Sequence, residues 1–144
     1  MVYVRGSHVI IECEKRTRRI KTDYYHRRFR EYYEKTVDVD PESFLGPLAG
    51  KLEKGARILD VGCGSGRDLL WFKKRGFRVV GFERSPGLAE LAAKRAGCEV
   101  VQGDFETYDF SAFRVDVLVL VGALVHVPHE KLRGLPSRLL EAVF

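Results

Sequence analysis

The sequence predicts an α/β fold in which buried parallel strands alternate with helices. Three segments indicate this fold: a short strand, a glycine-rich turn and a helix over residues 57–75, a second strand and helix over residues 78–96, and a strongly apolar strand over residues 115–121. Short, continuously apolar runs are typical of strands that are buried on both faces, as in parallel sheets. The length of 144 residues is sufficient for one domain with a single core.

The first strand and the turn after it carry the most informative pattern. Ile58 to Val61 is an apolar run that contains Asp60, and glycine then occupies alternate positions at Gly62, Gly64 and Gly66. Glycine adopts positive φ angles and leaves the backbone open to a ligand. The following residues, 67–75, have helical character, so the free N–H groups of a helix N-terminus should face this ligand.

The spacing of the glycines distinguishes two kinds of site. Dinucleotide-binding turns use G-x-G-x-x-G and place a pyrophosphate on the helix N-terminus. Here the spacing is G-x-G-x-G, and Asp60 lies two residues before the first glycine. A carboxylate at that place would repel a pyrophosphate but suits an ammonium group. The pattern therefore disfavours a nicotinamide-dependent enzyme.

The next elements repeat the order of strand and helix. Arg78 to Glu83 predicts a second strand that ends in a carboxylate, near the offset at which such a group accepts hydrogen bonds from ribose hydroxyls. Ser85 and Pro86 are a typical N-cap and first helical residue, and the helix should reach about Ala96. Residues 99–105 predict the third strand and its exit.

The order of these segments resembles the class I methyltransferases that depend on S-adenosylmethionine (SAM). The glycine turn is similar to motif I of that family, and Gly122-Ala-Leu-Val-His126-Val-Pro is similar to its motif IV loop. Tyr32-Tyr33-Glu34 and Phe44-Leu45 are similar to the N-terminal lid helix of its small-molecule, tellurite-resistance-like branch. The resemblance implies a Rossmann-like doubly wound parallel sheet, present in part with strand order 3-2-1-4. It divides the chain into a basic lid segment, 1–43, and a partial core, 44–144.

The resemblance also implies which residues hold SAM and its product S-adenosylhomocysteine (SAH). The cofactor-binding positions would be Asp60, Gly62, Cys63, Gly64, Gly66, Glu83, Arg84, Asp104, Phe105, Gly122, Ala123 and Leu124. In the family pattern, the glycine turn and Asp60 serve the methionine moiety, and Glu83 serves the ribose. Asp104 and Phe105 serve the adenine, and the motif IV residues line the methionine end.

Two residues invite a catalytic interpretation. Cys63 lies in the glycine turn, but no histidine pattern accompanies it, so we interpret it as a small residue that offers its backbone. His126 is the candidate general base, because an imidazole titrates near neutrality; the alternative is a structural histidine that closes the loop. His126 and His129 form an H-x-x-H pair without a further Cys/His cluster, so we expect no metal site.

The excess positive charge lies upstream of the core. Residues 1–36 contain ten Lys and Arg against five Asp and Glu, whereas residues 37–144 contain fifteen of each. One interpretation is a contact with nucleic acid. The other, which we favour, is an amphipathic lid helix whose aromatic residues fold over the cofactor pocket: Tyr24, Tyr25, Phe29, Tyr32 and Tyr33.

The sequence also suggests where the protein resides. The three cysteines are not in C-x-x-C spacing, which fits a reduced protein without disulfides. No apolar run approaches the ~18 residues of a membrane span, and no signal peptide is recognisable. We therefore expect a cytoplasmic protein with no membrane contact.

The fourth strand, residues 115–121, is the last that the resemblance accounts for. Its outer edge would be unpaired, and such edges associate readily. Three explanations stay open: a natural truncation, pairing with another chain through this edge, or a covering final helix. The residues after Gly134 do not resemble the family, which is also compatible with a frameshifted end. Upstream, Val2–Val4 and residues 9–11 suggest a short strand pair or a partly disordered segment.

The predicted function is methyl transfer from SAM to an unknown acceptor, with a small molecule favoured. The alternative is a truncated or non-catalytic SAM-binding domain, because the family builds its acceptor pocket largely from strands 4 to 7. Catalysis by this chain alone stays open at this point.

Overall fold

The structure is a computed structural model that describes residues 2–4, 23–121, 123 and 135–143. The helices are α1 (Asp23–Arg27), α2 (Phe29–Thr36), α3 (Glu42–Ala49), α4 (Arg67–Lys74), α5 (Pro86–Ala96) and α6 (Leu135–Leu140). The strands are β1 (Val2–Val4), β2 (Arg57–Val61), β3 (Arg78–Glu83), β4 (Val100–Gln102) and β5 (Val117–Val119). A 3-10 turn covers Phe110–Ala112.

The strands form one sheet in the order β1-β5-β2-β3-β4. β5, β2, β3 and β4 are parallel, and β1 is antiparallel to β5. With β2 as the first strand of the resemblance, the parallel part has the predicted order 3-2-1-4. The chain leaves β2 toward β3 and later returns to the other side of β2 as β5. This reversal opens a crevice at the carboxyl end of β2, the usual ligand position in such sheets.

The outer edge of β5 differs from the expectation of an unpaired strand. Val2 pairs with Val119, Tyr3 with Leu118 and Val4 with Val117. Nearby, the N–H of Val115 donates to the carbonyl of Ala142 at 3.0 Å, and Val115 bridges to Val143. Segments from both ends of the chain therefore cover this edge. Residues 9–11, the expected partner of the first strand, lie outside the described residues.

Each face of the sheet carries its own part of the core, because successive strand residues point to opposite sides. Ile58, Val117 and Val119 pack with Leu45 and Leu48 of α3 and with Phe72 of α4. The opposite face packs another set of buried side chains: Leu59, Val61, Phe82, Phe110, Leu118, Leu120 and Leu139. Each fully buried apolar side chain contributes roughly 1.5–3 kcal/mol. Leu139 of α6 thus makes the C-terminal segment part of the core.

The helix ends follow the predicted cap chemistry. The Ser85 hydroxyl accepts the N–H of Leu88 at 3.4 Å, Pro86 begins α5, and Gly97 ends it with φ 59°. Pro136 is the second residue of α6, in the first helical turn, where proline is tolerated. Within the described residues, no helix has both the length and the apolar character that a bilayer span requires.

Candidate functional site

A pocket lies at the carboxyl ends of β2 and β3, in the crevice that the strand order creates. About 790 Å³ of empty space lies within it, counting the open solvent at its mouth. Six of the residues predicted to hold a cofactor line it: Gly62, Gly64, Glu83, Arg84, Phe105 and Ala123. The fold thus brings together residues that lie as far apart in the sequence as Gly62 and Ala123.

The glycine turn forms one wall, and its three glycines serve different purposes. All have positive φ, at 75°, 56° and 77° for Gly62, Gly64 and Gly66. A methyl group on Gly62 would lie 2.7 Å from the Ala123 Cβ, and one on Gly64 would lie 3.1 Å from the Tyr32 ring. On Gly66 it would lie 2.8 Å from the Ala92 Cα. Gly66 therefore allows α4 and α5 to approach closely and does not line the pocket.

Glu83 connects this turn to the end of β3. One carboxylate oxygen accepts the N–H of Gly64 at 2.9 Å, and the other accepts the N–H of Ser85 at 2.9 Å. Burial raises the pKa of the Glu83 carboxyl, and the backbone N–H groups that donate to it oppose this rise. A carboxylate has about four acceptor positions. Glu83 can therefore hold the turn in place and still accept hydrogen bonds from a ligand.

Asp60 is buried, at 2% exposure, and is not among the residues that line the pocket. Its Oδ2 has no hydrogen-bond partner within the described part of the chain. Burial raises the pKa of this carboxyl well above its ordinary value, and the charge of Asp68 raises it further. Arg67 opposes both effects and donates to Asp68 at 2.6 Å. An unsatisfied buried acceptor is costly, and a ligand that supplies a donor would remove that cost.

Two tyrosines of the lid helices close the pocket from the other side. Tyr25 of α1 and Tyr32 of α2 line it, and their rings meet edge to face at 5.1 Å. Burial raises the pKa of Tyr25 to about 12 and also raises the pKa of Tyr32. Both phenols therefore stay protonated at neutral pH and act as hydrogen-bonding, apolar walls. Tyr24, Phe29 and Tyr33 do not line the pocket.

The remaining predicted residues lie near the pocket or outside the described chain. Asp104 pairs with Arg84 at 3.1 Å and does not line the pocket. Cys63 is buried, and burial raises the pKa of its thiol well above the ordinary value, which favours an inert, protonated side chain. Three predicted positions, Gly122, Leu124 and His126, lie outside the described residues.

The sequence did not predict five of the residues that line the pocket. They are His26, Ser85, Leu88, Glu106 and Val121. The sequence predicted Ser85 and Leu88 only as part of a helix start, and it predicted Val121 only as the end of a strand. No local signal marks His26, since its position depends on how α1 packs. In the described part of the chain, no group of three or more His, Cys, Asp or Glu side chains could hold a metal ion.

Comparison with known proteins identifies the family. A family model described as "Methyltransferase domain" matches residues 58–143. Thiopurine S-methyltransferase from Pseudomonas syringae pv. syringae is 29% identical over 96 residues, which are 62% of this chain and 43% of that protein. The uncharacterized methyltransferase YrrT from Bacillus subtilis is 31% identical over 84 residues, 57% and 39% of the respective chains. The matches thus span less than half the length of these curated relatives.

Solved structures show the same architecture. A TehB-like SAM-dependent methyltransferase from Corynebacterium glutamicum superimposes with a TM-score of 0.66 at 25% identity, over 84% of this chain and 66% of that one. A SAM-dependent methyltransferase from Thiobacillus denitrificans, solved with SAH, gives 0.63 at 29% identity, over 81% and 51%. The four parallel strands, the crevice beside the glycine turn and the matched residues place this chain in the methyltransferase domain family, with the class I fold.

Proposed function

We propose that this chain binds SAM in the pocket beside the glycine turn and transfers its methyl group to a small-molecule acceptor. The observation that carries the proposal is the joint position of two carboxylates at this turn. Glu83 lines the pocket, and Asp60 has a buried oxygen without a partner among the described residues. The SAH complex of the Thiobacillus denitrificans protein, a relative at 29% identity, supports the choice of ligand.

The residues fit the parts of SAM in a definite order. The Asp60 carboxylate suits the ammonium of the methionine moiety, because a charged donor would satisfy its buried oxygen. Glu83 suits the two ribose hydroxyls, since its oxygens keep acceptor positions beyond those used by Gly64 and Ser85. Phe105 offers an apolar surface to the adenine. Gly122, Ala123 and Leu124 would line the methionine end.

SAM, when bound, would supply a methyl group on a sulfonium: a lone pair of the acceptor would form the new bond to the methyl carbon while the carbon–sulfur bond breaks, and SAH would leave. The chain itself contributes position and exclusion of water. Tyr25 and Tyr32 cover the pocket as neutral phenols, so neither competes as a nucleophile near pH 7. His126 stays the proposed general base. His26 also lines the pocket, although its side chain is exposed.

A small-molecule acceptor is favoured by the match to thiopurine S-methyltransferase, whose name specifies a small heterocyclic substrate. The competing proposal is a domain that holds SAM without transferring its methyl group. It is motivated by the extent of the matches, which cover 43% and 39% of the curated relatives. A cytoplasmic location accords with both proposals.

Calorimetric titration with SAH tests the shared part of these proposals. We expect micromolar binding by the parent chain and no binding by Gly64→Val, whose side chain would enter the pocket. Gly55→Val is the matched control, because Gly55 also has a positive φ, 74°, and no atom lies within 4 Å of its Cβ position. Release of SAH from SAM in the presence of thiol-bearing heterocycles then separates the enzyme from the binding domain. Failure of the folded parent chain to bind SAH would refute both.

A further inference from the structure

The lid, formed by α1 and α2, contacts the first turn of α5. The Ser85 hydroxyl donates to the carbonyl of Tyr25 at 3.1 Å. Two residues further on, the ring of Phe29 lies against Gly87, so closely that a methyl group on Gly87 would come within 2.6 Å of the ring. The Tyr25 carbonyl of α1 and the Phe29 ring of α2 thus contact neighbouring positions at the start of α5.

The lid also contacts the rest of the protein through the Tyr32 ring, which lies over Gly64, and through an exposed ion pair. None of the residues of α2, all of which are described, is buried. The ion pair between Arg95 and Asp38, at 3.4 Å, joins two side chains that are 41% and 85% exposed. Pairs of this kind contribute little to stability. The contacts at Ser85 and Gly87 thus act together with the contact of Tyr32 at Gly64 to hold the lid closed.

Ser85 also connects the lid to the pocket floor. Its backbone N–H donates to Glu83, and Glu83 accepts the N–H of Gly64. A continuous chain of hydrogen bonds thus runs from Tyr25 in the lid through Ser85 and Glu83 to the glycine turn. Ser85 is 1% exposed, so water does not compete for these bonds while the lid is in place.

We propose that Ser85 and Gly87 form a latch for the lid, and that the lid must leave this latch for a ligand to enter or escape. Tyr25 and Tyr32, which line one side of the pocket, move with the lid. Ser85 and Gly87 are thereby positioning residues that set the rate of ligand exchange. The part of this proposal that concerns SAH rests on the proposed function, whereas the docking of the lid does not.

Limited trypsin digestion measures docking without a ligand. Arg27, Arg28 and Arg30 are exposed on the lid helices, and cleavage after them requires local opening. In Gly87→Ala, the new methyl group displaces Phe29, so we expect these cuts, followed by mass spectrometry, to become about tenfold faster. Gly50→Ala is the control, because the same change there meets no atom closer than 3.7 Å. Equal cleavage rates in both variants would overturn the latch.

A double-mutant cycle separates the latch from a general weakening of α5. Phe29→Ala alone should also speed cleavage of the lid. If Gly87→Ala acts through Phe29, the double variant should be cut no faster than Phe29→Ala alone. If Gly87→Ala merely destabilises α5, the two effects should multiply, and that result would contradict the proposal. Ser85→Ala does not separate these two cases, since it removes the N-cap bond from Leu88 together with the bond to Tyr25.

The rate of SAH release gives the functional readout. We expect Gly87→Ala to release SAH about tenfold faster in stopped-flow measurements, the same factor as the change in lid opening. Unchanged release with a freely cleaved lid would show that the lid does not gate the pocket. Absence of SAH binding by the parent chain would instead refute the proposed function, and the cleavage experiments would still decide whether the latch exists.

Discussion

The carboxylate of Glu83 accepts the backbone N–H of Gly64 at 2.9 Å, which joins the end of β3 to the glycine turn after β2. The second oxygen of the same side chain accepts the N–H of Ser85, where α5 begins. One buried acid therefore sets the relative positions of three pocket walls. This arrangement explains why a carboxylate at the end of β3 has a structural role as well as a proposed ligand-binding role.

Glu83→Gln should separate these two roles. The amide keeps one acceptor oxygen but turns an NH₂ group toward one of the two backbone donors, so we expect a loss of about 1–3 kcal/mol in the free energy of unfolding. SAH affinity should fall by roughly 1.5–3 kcal/mol through lost charge-assisted bonds. Urea unfolding and calorimetry measure the two quantities. Glu90→Gln, at an exposed site on α5, should change neither appreciably.

Asp60→Asn should stabilise the free protein and weaken its binding of SAH. The raised pKa of Asp60 means that the folded state holds this proton more tightly than the unfolded state. Stability therefore falls as pH rises from about 4, the ordinary carboxyl value, toward the raised pKa. In Asp60→Asn, urea unfolding across this range should show a shallower decline and greater stability at neutral pH. A variant less stable than the parent at pH 7 would contradict this account, and Asp38→Asn provides an exposed control.

Gly66→Ala should reduce stability more than its backbone angle alone requires. The methyl group would lie 2.8 Å from the Ala92 Cα, at φ 77°. Gly55 has a similar φ, 74°, and no atom within 4 Å of the same position. Gly55→Ala therefore measures the cost of the angle, about 1 kcal/mol, and Gly66→Ala should add about 1–3 kcal/mol for the overlap. Equal values for the two variants in thermal unfolding would show that α4 and α5 are not closely packed there.

Leu139→Ala should destabilise the whole domain. Leu139 is 2% exposed and belongs to the core cluster on one face of the sheet. Removing such a side chain costs about 2–5 kcal/mol. Ser137→Ala, an exposed position on the same helix, serves as the control. A small effect of Leu139→Ala in denaturant unfolding would favour the interpretation of the C-terminal segment as unrelated to the fold.

Deletion of residues 2–4 should promote self-association. In the structure these residues pair with Val117–Val119, and their removal would leave that edge of β5 without its partner. Exposed apolar edges pair with other chains. We expect the mass measured by light scattering to rise with concentration for the deletion and to stay constant for the parent. A monomeric deletion variant at all concentrations would argue against this edge as an association site.

Much of the local structure could be predicted from neighbouring residues. β3 and α5 have the expected bounds, because an apolar run ending in an acid and the Ser85-Pro86 cap act within a few residues. The positive φ angles of the glycine turn followed from the residue type. The site was predictable where its residues lie in that turn or directly after a strand. Of the five aromatic residues expected to cover the pocket, Tyr25 and Tyr32 line it and the other three do not.

The sequence by itself determined the strands, their helices, the glycine turn and the acids beside it, because these depend on steric and hydrogen-bonding preferences over short distances. Tertiary structure alone decided that β1 covers β5, that α6 enters the core and that His26 reaches the pocket. It also decided that Gly66 faces Ala92, whereas Gly64 faces Tyr32. These relationships join segments far apart in the chain, and packing between helices and strands selects them where no local pattern does.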